Sequence, residues 1–215
     1  MSIVDLLKTR SRDSTIHRWM RRRQGESAIL NWERDGRPIP PPPAYKQKRI
    51  QEVGKKFGAR ILIETGTNWG DTIASSLNNF DRIYSVELST ILYRHAVERF
   101  GQNRKVVLRH GDSAVELSNI LSELRQPAVF WLDAHYSGEG TARANKTTPI
   151  IAELLGIFTH QIPNHAVLID DARLFNGNDD YPTVDDCKMI AARLRPDHLF
   201  CVAEDLIEIL PASKP

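Results

Sequence analysis

Apolar residues fall into short runs separated by stretches with helical spacing. The runs at residues 60–64, 82–87, 106–109, 128–133 and 166–170 are four to six residues long. Between them, residues 71–78, 90–100, 115–124 and 149–158 repeat apolar positions at i, i+3 and i+4; residues 45–57 precede the first run and 184–194 follow the last. Short strands buried on both faces and separated by helices of about ten residues predict a parallel sheet with right-handed crossovers. The end of the chain breaks the rhythm, because residues 199–203 and 206–210 are separated by Glu204 and Asp205 alone. Two residues cannot cross over a sheet, so these runs predict an antiparallel hairpin. The expected class is α/β: a doubly wound sheet of five parallel strands plus a C-terminal antiparallel hairpin, with helices on both faces.

Composition narrows the function classes. The chain has 215 residues, 41% apolar and 26% charged, the size of one globular domain with a short appendage. Its longest apolar stretches, such as 128–132, fall far below the roughly 18 to 20 residues of a membrane span. Asp5 and Lys8 interrupt the first apolar residues, unlike a secretory signal, and a cytoplasmic protein is expected. Cys187 and Cys201 are the only cysteines, with no C-x-x-C and no metal-spaced His pair, which argues against a disulfide scaffold or a zinc module.

Charge is uneven. Residues 1–60 carry 15 Lys/Arg and 6 Asp/Glu, whereas residues 61–215 carry 14 and 21, so a basic head precedes an acidic body. Arg18, Arg21, Arg22 and Arg23 surround Trp19 and Met20, yet without a binding motif they read better as a solvated helix face than as a nucleic-acid contact. The run Pro38-Ile39-Pro40-Pro41-Pro42-Pro43 is a stiff connector. The expected organisation is a basic extension over 1–44 and a catalytic domain over 45–215.

Ligands of a parallel sheet bind at the carboxyl ends of its strands. Here those ends present Glu64-Thr65-Gly66-Thr67-Asn68-Trp69-Gly70, Glu87-Leu88-Ser89, Gly111-Asp112-Ser113, Asp133-Ala134-His135 and Asp170-Asp171. Gly66 and Gly70 allow tight turns in the first loop. Glu64 and Asp71 make that loop a poor home for pyrophosphate, no P-loop lysine follows, and G-x-x-x-G replaces the dinucleotide G-x-G-x-x-G. Glu87, 21 residues after Gly66, is placed to accept both hydroxyls of a ribose, and Asp112 an adenine amino group.

The segments Glu64 to Thr72, Val86-Glu87-Leu88-Ser89 and His110-Gly111-Asp112-Ser113, in that order, resemble the cofactor motifs of class I S-adenosylmethionine-dependent methyltransferases, whose Rossmann-like fold also ends in a hairpin. The resemblance covers about residues 45–212 and departs from the family at Asn68, where many members have glycine. It implies S-adenosylmethionine as cofactor. Glu64 and Gly66 would border its amino-acid end, Glu87 would hold its ribose, and Asp112 with Ser113 would frame its adenine; Thr67, Asn68, Gly70, Asp71, Thr72, Leu88 and Asp133 complete the expected cofactor-binding residues.

The fourth and fifth strands carry the acceptor chemistry. An Asn/Asp-Pro-Pro-aromatic loop, common in N-methylating enzymes, is replaced by Phe130-Trp131-Leu132-Asp133-Ala134-His135-Tyr136. Asp133 with Asp170 and Asp171 is similar to the divalent-metal site of catechol-type and sugar O-methyltransferases. Converging carboxylates need protons or a cation, and oxygen-only ligands suit Mg²⁺, Mn²⁺ or Ca²⁺; the alternative is that one aspartate caps a helix or pairs with Arg173 and no metal binds. His135 is the candidate base, because an imidazole titrates near neutrality, with Asp133 beside it in the catalytic group. The expected partner is a small-molecule or glycan hydroxyl, with homo-oligomerisation left open. The alternatives are a catalytically silent cofactor-binding module and a nucleic-acid methyltransferase using the basic head.

Overall fold

The computed structural model describes residues 15–133, 148–178 and 180–212, without the side chains of 15–19 and 21. The chain divides into two compact units, one ending at Arg49 and one beginning at Ile50. The first contains helix α1 (Thr15–Arg34) and the start of α2 (Pro43–Phe57), whose first residue is a proline with no N–H to lose. Here Trp32 Nε1 donates to the Pro38 carbonyl at 2.7 Å, and its ring lies 4.6 Å from that of Tyr45. No helix among the described residues is long and apolar enough to cross a membrane.

The second unit runs β1 (Ile61–Thr65), α3 (Asp71–Ser76), β2 (Arg82–Glu87), α4 (Thr90–Phe100), β3 (Val106–His110), α5 (Ser113–Glu123), β4 (Val129–Leu132), α6 (Ile150–Thr159), β5 (Ala166–Ile169), a 3₁₀ turn (Ala172–Leu174), α7 (Val184–Leu194), β6 (His198–Ala203) and β7 (Leu206–Pro211). These form one seven-stranded sheet in the order β3-β2-β1-β4-β5-β7-β6. β1 to β5 pair in parallel, and β7 pairs antiparallel with both β5 and β6. The doubly wound sheet with a terminal hairpin is therefore present as expected.

Alternation along the strands feeds two apolar layers. Ile61, Ile63, Tyr84, Val86, Phe130, Leu132, Val167 and Ile169 share one cluster with Leu117, Ile120 and Leu121 of α5, Leu154, Ile157 and Phe158 of α6, and Cys187 and Ala191 of α7. The intervening Leu62, Ile83, Val129, Trp131 and Leu168 are buried as well. Every residue of β7 is buried, whereas β6 leaves Leu199 and Val202 exposed, as an edge strand does. Side-chain caps fix helix starts: Asp112 accepts from the Ala114 N–H at 2.8 Å and starts α5 at Ser113, two residues before the apolar pattern begins. Thr183 and Asp186 form a capping box at the head of α7.

Candidate active site

Because β1 to β5 are parallel, their acidic carboxyl ends share one edge of the sheet. The ladder continues into the site: the Asp133 N–H donates to the Thr65 carbonyl at 3.1 Å and the Asp170 N–H to the Leu132 carbonyl at 3.0 Å. The first loop turns through positive φ at Gly66 (90°), Asn68 (49°) and Gly70 (76°). A Cβ on Gly70 would lie 2.5 Å from the Phe100 ring, so close packing as well as φ demands glycine there.

Glu64 lies beneath this loop, 1% exposed. The Ser85 hydroxyl donates to its Oε2 at 2.6 Å, and Thr67 Oγ1 is 2.7 Å from Ser85 Oγ. A serine hydroxyl has one proton, so the chain runs Thr67 to Ser85 to Glu64. Burial pushes the Glu64 carboxyl up to about 8, with Asp133 and Glu87 adding to the rise and the Ser85 and Thr72 hydroxyls opposing it. Glu64 is mostly neutral at pH 7. Asp71 is paired with Arg99, whose Nη1 lies 3.0 Å from Asp71 Oδ1.

Glu87, 7% exposed, pins two loops. Its Oε2 accepts from the Asn68 N–H and its Oε1 from the Ser89 N–H, each at 2.8 Å. An ionised carboxylate has about four acceptor sites, so two hydroxyls can still be received. Leu88 is half-buried beside it. At the end of β3 the expected adenine acceptor, Asp112, already caps α5 through one oxygen, and Ser113 is buried.

At the ends of β4 and β5, Asp133, Asp170 and Asp171 each offer a carboxylate oxygen within 4.8 Å of the others. Asp170 Oδ1 accepts from the Asp171 N–H at 2.7 Å, and Asp171 is left-handed at φ 56°. Arg173 Nη1 donates to Asp171 Oδ1 at 2.8 Å and also to Asp205 Oδ2, while the Arg173 N–H donates to Asp205 Oδ1 at 2.8 Å. Three carboxylates converge, and Asp171 pairs with Arg173, the pairing that the sequence offered as an alternative. An all-oxygen trio fits a hard divalent cation. His135 lies outside the described residues, as does Tyr136.

Three polar groups here, two buried and one half-buried, escaped the sequence reading. Ser85 interrupts an apolar strand, Glu153 is the one acid in α6, and Tyr181 is pushed up to about 12 by burial and by the charges of Asp171 and Asp133, against Arg173. A single polar residue in an apolar run is the signal that marks the first two.

No protein-family model matches this chain, and no curated protein matches it. Solved structures do. An O-methyltransferase from Bacillus cereus in complex with SAH superposes with a TM-score of 0.56 at 17% identity, over 86% of this chain and 90% of that one. The O-methyltransferase TomG from Streptomyces achromogenes, in complex with SAM, gives 0.57 at 17% identity over 87% and 88%. The fold is that of class I S-adenosylmethionine-dependent methyltransferases. A structure described as a putative rRNA-methylase from Clostridium thermocellum shares this methyltransferase fold at a TM-score of 0.52 and 10% identity, over 78% of this chain and 95% of that one.

Proposed function

We propose that this chain is an S-adenosylmethionine-dependent methyltransferase that methylates a hydroxyl oxygen of a small acceptor, best a sugar or glycoconjugate. The observation that carries the reading is the convergence of Asp133, Asp170 and Asp171 at the same sheet edge as the Gly66 loop and Glu87. The structures with this fold that hold SAH or SAM support the cofactor, and the carboxylate trio supports an oxygen acceptor.

In this reading Glu87 receives the ribose hydroxyls on lone pairs left over from Asn68 and Ser89, so ribose binding and loop position are linked through one carboxylate. The Gly66–Gly70 turn passes the amino-acid end over Glu64. Methyl transfer breaks the S–CH₃ bond and forms an O–CH₃ bond; the acceptor proton passes to His135. Positioning supplies most of the acceleration, because the sulfonium already leaves well. Asp133, Asp170 and Asp171 would hold a divalent cation such as Mg²⁺, which fixes vicinal acceptor oxygens and makes the hydroxyl more acidic when bound.

Labelled methyl transfer to a panel of vicinal-diol sugars, with Mg²⁺ and with chelator, tests the reading. Incorporation into an acceptor oxygen that chelator abolishes is expected. Undiminished transfer in chelator removes the cation, and transfer to nitrogen or RNA alone removes the acceptor class.

A further inference from the structure

The sheet has two edges, β3 and β6, and they are treated differently. An open edge offers a row of N–H and C=O groups to any passing strand, and natural sheets blunt it with charge, proline or a covering element. β3 is blunted: it carries Arg109 and His110, Arg109 Nη2 donates to Glu123 at 2.6 Å, and none of its large apolar residues is exposed. β6, with the sequence HLFCVA, has no lysine, arginine, acid or proline. It leaves Leu199 61% and Val202 46% exposed, with Cys201 exposed between them.

Pairing to β7 decides which backbone groups of β6 point outward. The Ala212 N–H donates to the Asp197 carbonyl at 3.0 Å, so the odd-numbered residues turn their N–H and C=O groups to β7 and the even-numbered ones turn theirs away. Glu204 and Asp205, both at positive φ, make the two-residue hairpin turn that gives the same alternation. The His198 N–H is taken by the Arg195 carbonyl at 2.9 Å, which leaves Phe200 and Val202 with both groups directed outward. Among the described residues no strand pairs with them on that side.

An outward row of this kind is satisfied by a strand and not by a helix, whose backbone bonds are already made, and an uncharged strip does not select a polyanion. The spacing of Phe200 and Val202 is moreover self-complementary. In an antiparallel arrangement of two copies centred on Cys201, Phe200 of each copy faces Val202 of the other, and each pair exchanges both N–H···O=C bonds. Leu199 then lies opposite Ala203 of the second copy, and no like charges face each other along the strand. A centre at Phe200 would set Val202 against the occupied His198, and a centre at Val202 would set Phe200 against the turn at Glu204.

We propose that two copies of this chain pair through β6 about a two-fold axis at Cys201, joining their sheets into one. The paired strands run in opposite directions, and so do the two sets of β1 to β5, so the two candidate sites open at opposite ends of the joined sheet. The pairing does not depend on the methyltransferase reading.

The test is sedimentation velocity of the full chain over a concentration series, for wild type, Cys201→Ser, Cys201→Lys and Val202→Pro. Wild type and Cys201→Ser are expected to move toward twice the 24.4 kDa chain mass as concentration rises. Cys201→Lys sets like charges directly opposite at the axis, and Val202→Pro removes an outward N–H while sparing the bonds to β7; both should stay monomeric. Should Val202→Pro fail to fold, Cys201→Lys, at an exposed position, decides alone. The two Cys201 residues form a non-hydrogen-bonded pair with Cα atoms about 4.5 Å apart, within the span of a disulfide. Mild oxidation should therefore link the wild-type dimer through Cys201 and leave the buried Cys187 unreacted. A wild type that stays monomeric, a dimer that the Lys and Pro variants retain, or a dimer whose Cys201 thiols do not link each overturns the proposal.

Discussion

Glu64 ends β1 with its carboxyl 1% exposed and a hydrogen bond from Ser85, and burial dominates its ionisation over those partners. Its folded pKa of about 8 lies above the ordinary 4.5, so its contribution to stability is full below about pH 4.5 and is lost as pH rises through 8. Glu64→Gln should therefore gain on wild type with rising pH across that window, by on the order of 1 kcal/mol per pH unit, in denaturant titrations at stepped pH. Parallel stability curves would show that Glu64 is ionised in the folded chain. Residue types and spacing made most of the candidate groups at the sheet edge legible in the sequence. Their ionisation was not: the Glu64 carboxyl is raised because it is buried in a dry layer among hydroxyls that other segments supply. Those neighbours come from other strands, and spacing along one strand carries no record of them.

Among the elements, the exit of β5 is held by a knot of three side chains. Arg173, on the 3₁₀ turn, joins Asp171 at the strand end to Asp205 between β6 and β7, and the Asp205 side chain is only 1% exposed. Arg173→Met removes the guanidinium and leaves that carboxylate with the Arg173 N–H. A loss of about 1.5 to 3 kcal/mol is expected, the range for a hydrogen bond to a charged group. It should also remove the guanidinium that competes with a cation for Asp171, so that Mg²⁺ raises the Tm of the variant more than that of wild type. Equal Mg²⁺ shifts would mean that Asp171 does not belong to a cation site. The strands were readable as apolar runs, and the hairpin followed from a two-residue connection. The placement of β7 rather than β6 against β5 was not readable, because HLFCVA and LIEILP are similarly apolar and only pairing makes one central and the other an edge.

At the scale of the whole molecule, a histidine cluster at the end of the sheet opposite the candidate site bears on acid stability. His165 Nδ1 accepts from the Ala128 N–H at 3.1 Å, so its Nε2–H faces His160 Nδ1 at 3.0 Å, and His198 Nε2 donates to the His165 carbonyl at 3.0 Å. Burial, reinforced by His160, Arg195 and His198, pushes His165 down to about 3. A depressed histidine adds stability that is whole above its ordinary 6.5 and drains as pH falls toward 3. Stability should drop below pH 6 by about 1.4 kcal/mol per pH unit for this one proton. His165→Gln should flatten the slope; an unchanged slope would assign the acid loss to other groups.

The central claim is that the ends of β1 to β3 hold the nucleoside cofactor, and it is tested most directly by calorimetric titration of S-adenosylhomocysteine into wild type and Glu87→Ala. Saturable one-site binding is expected, weakened by about 1 to 3 kcal/mol in the variant through loss of charge-assisted hydrogen bonds. Absence of binding to wild type, or equal affinity in a folded Glu87→Ala, would contradict the account.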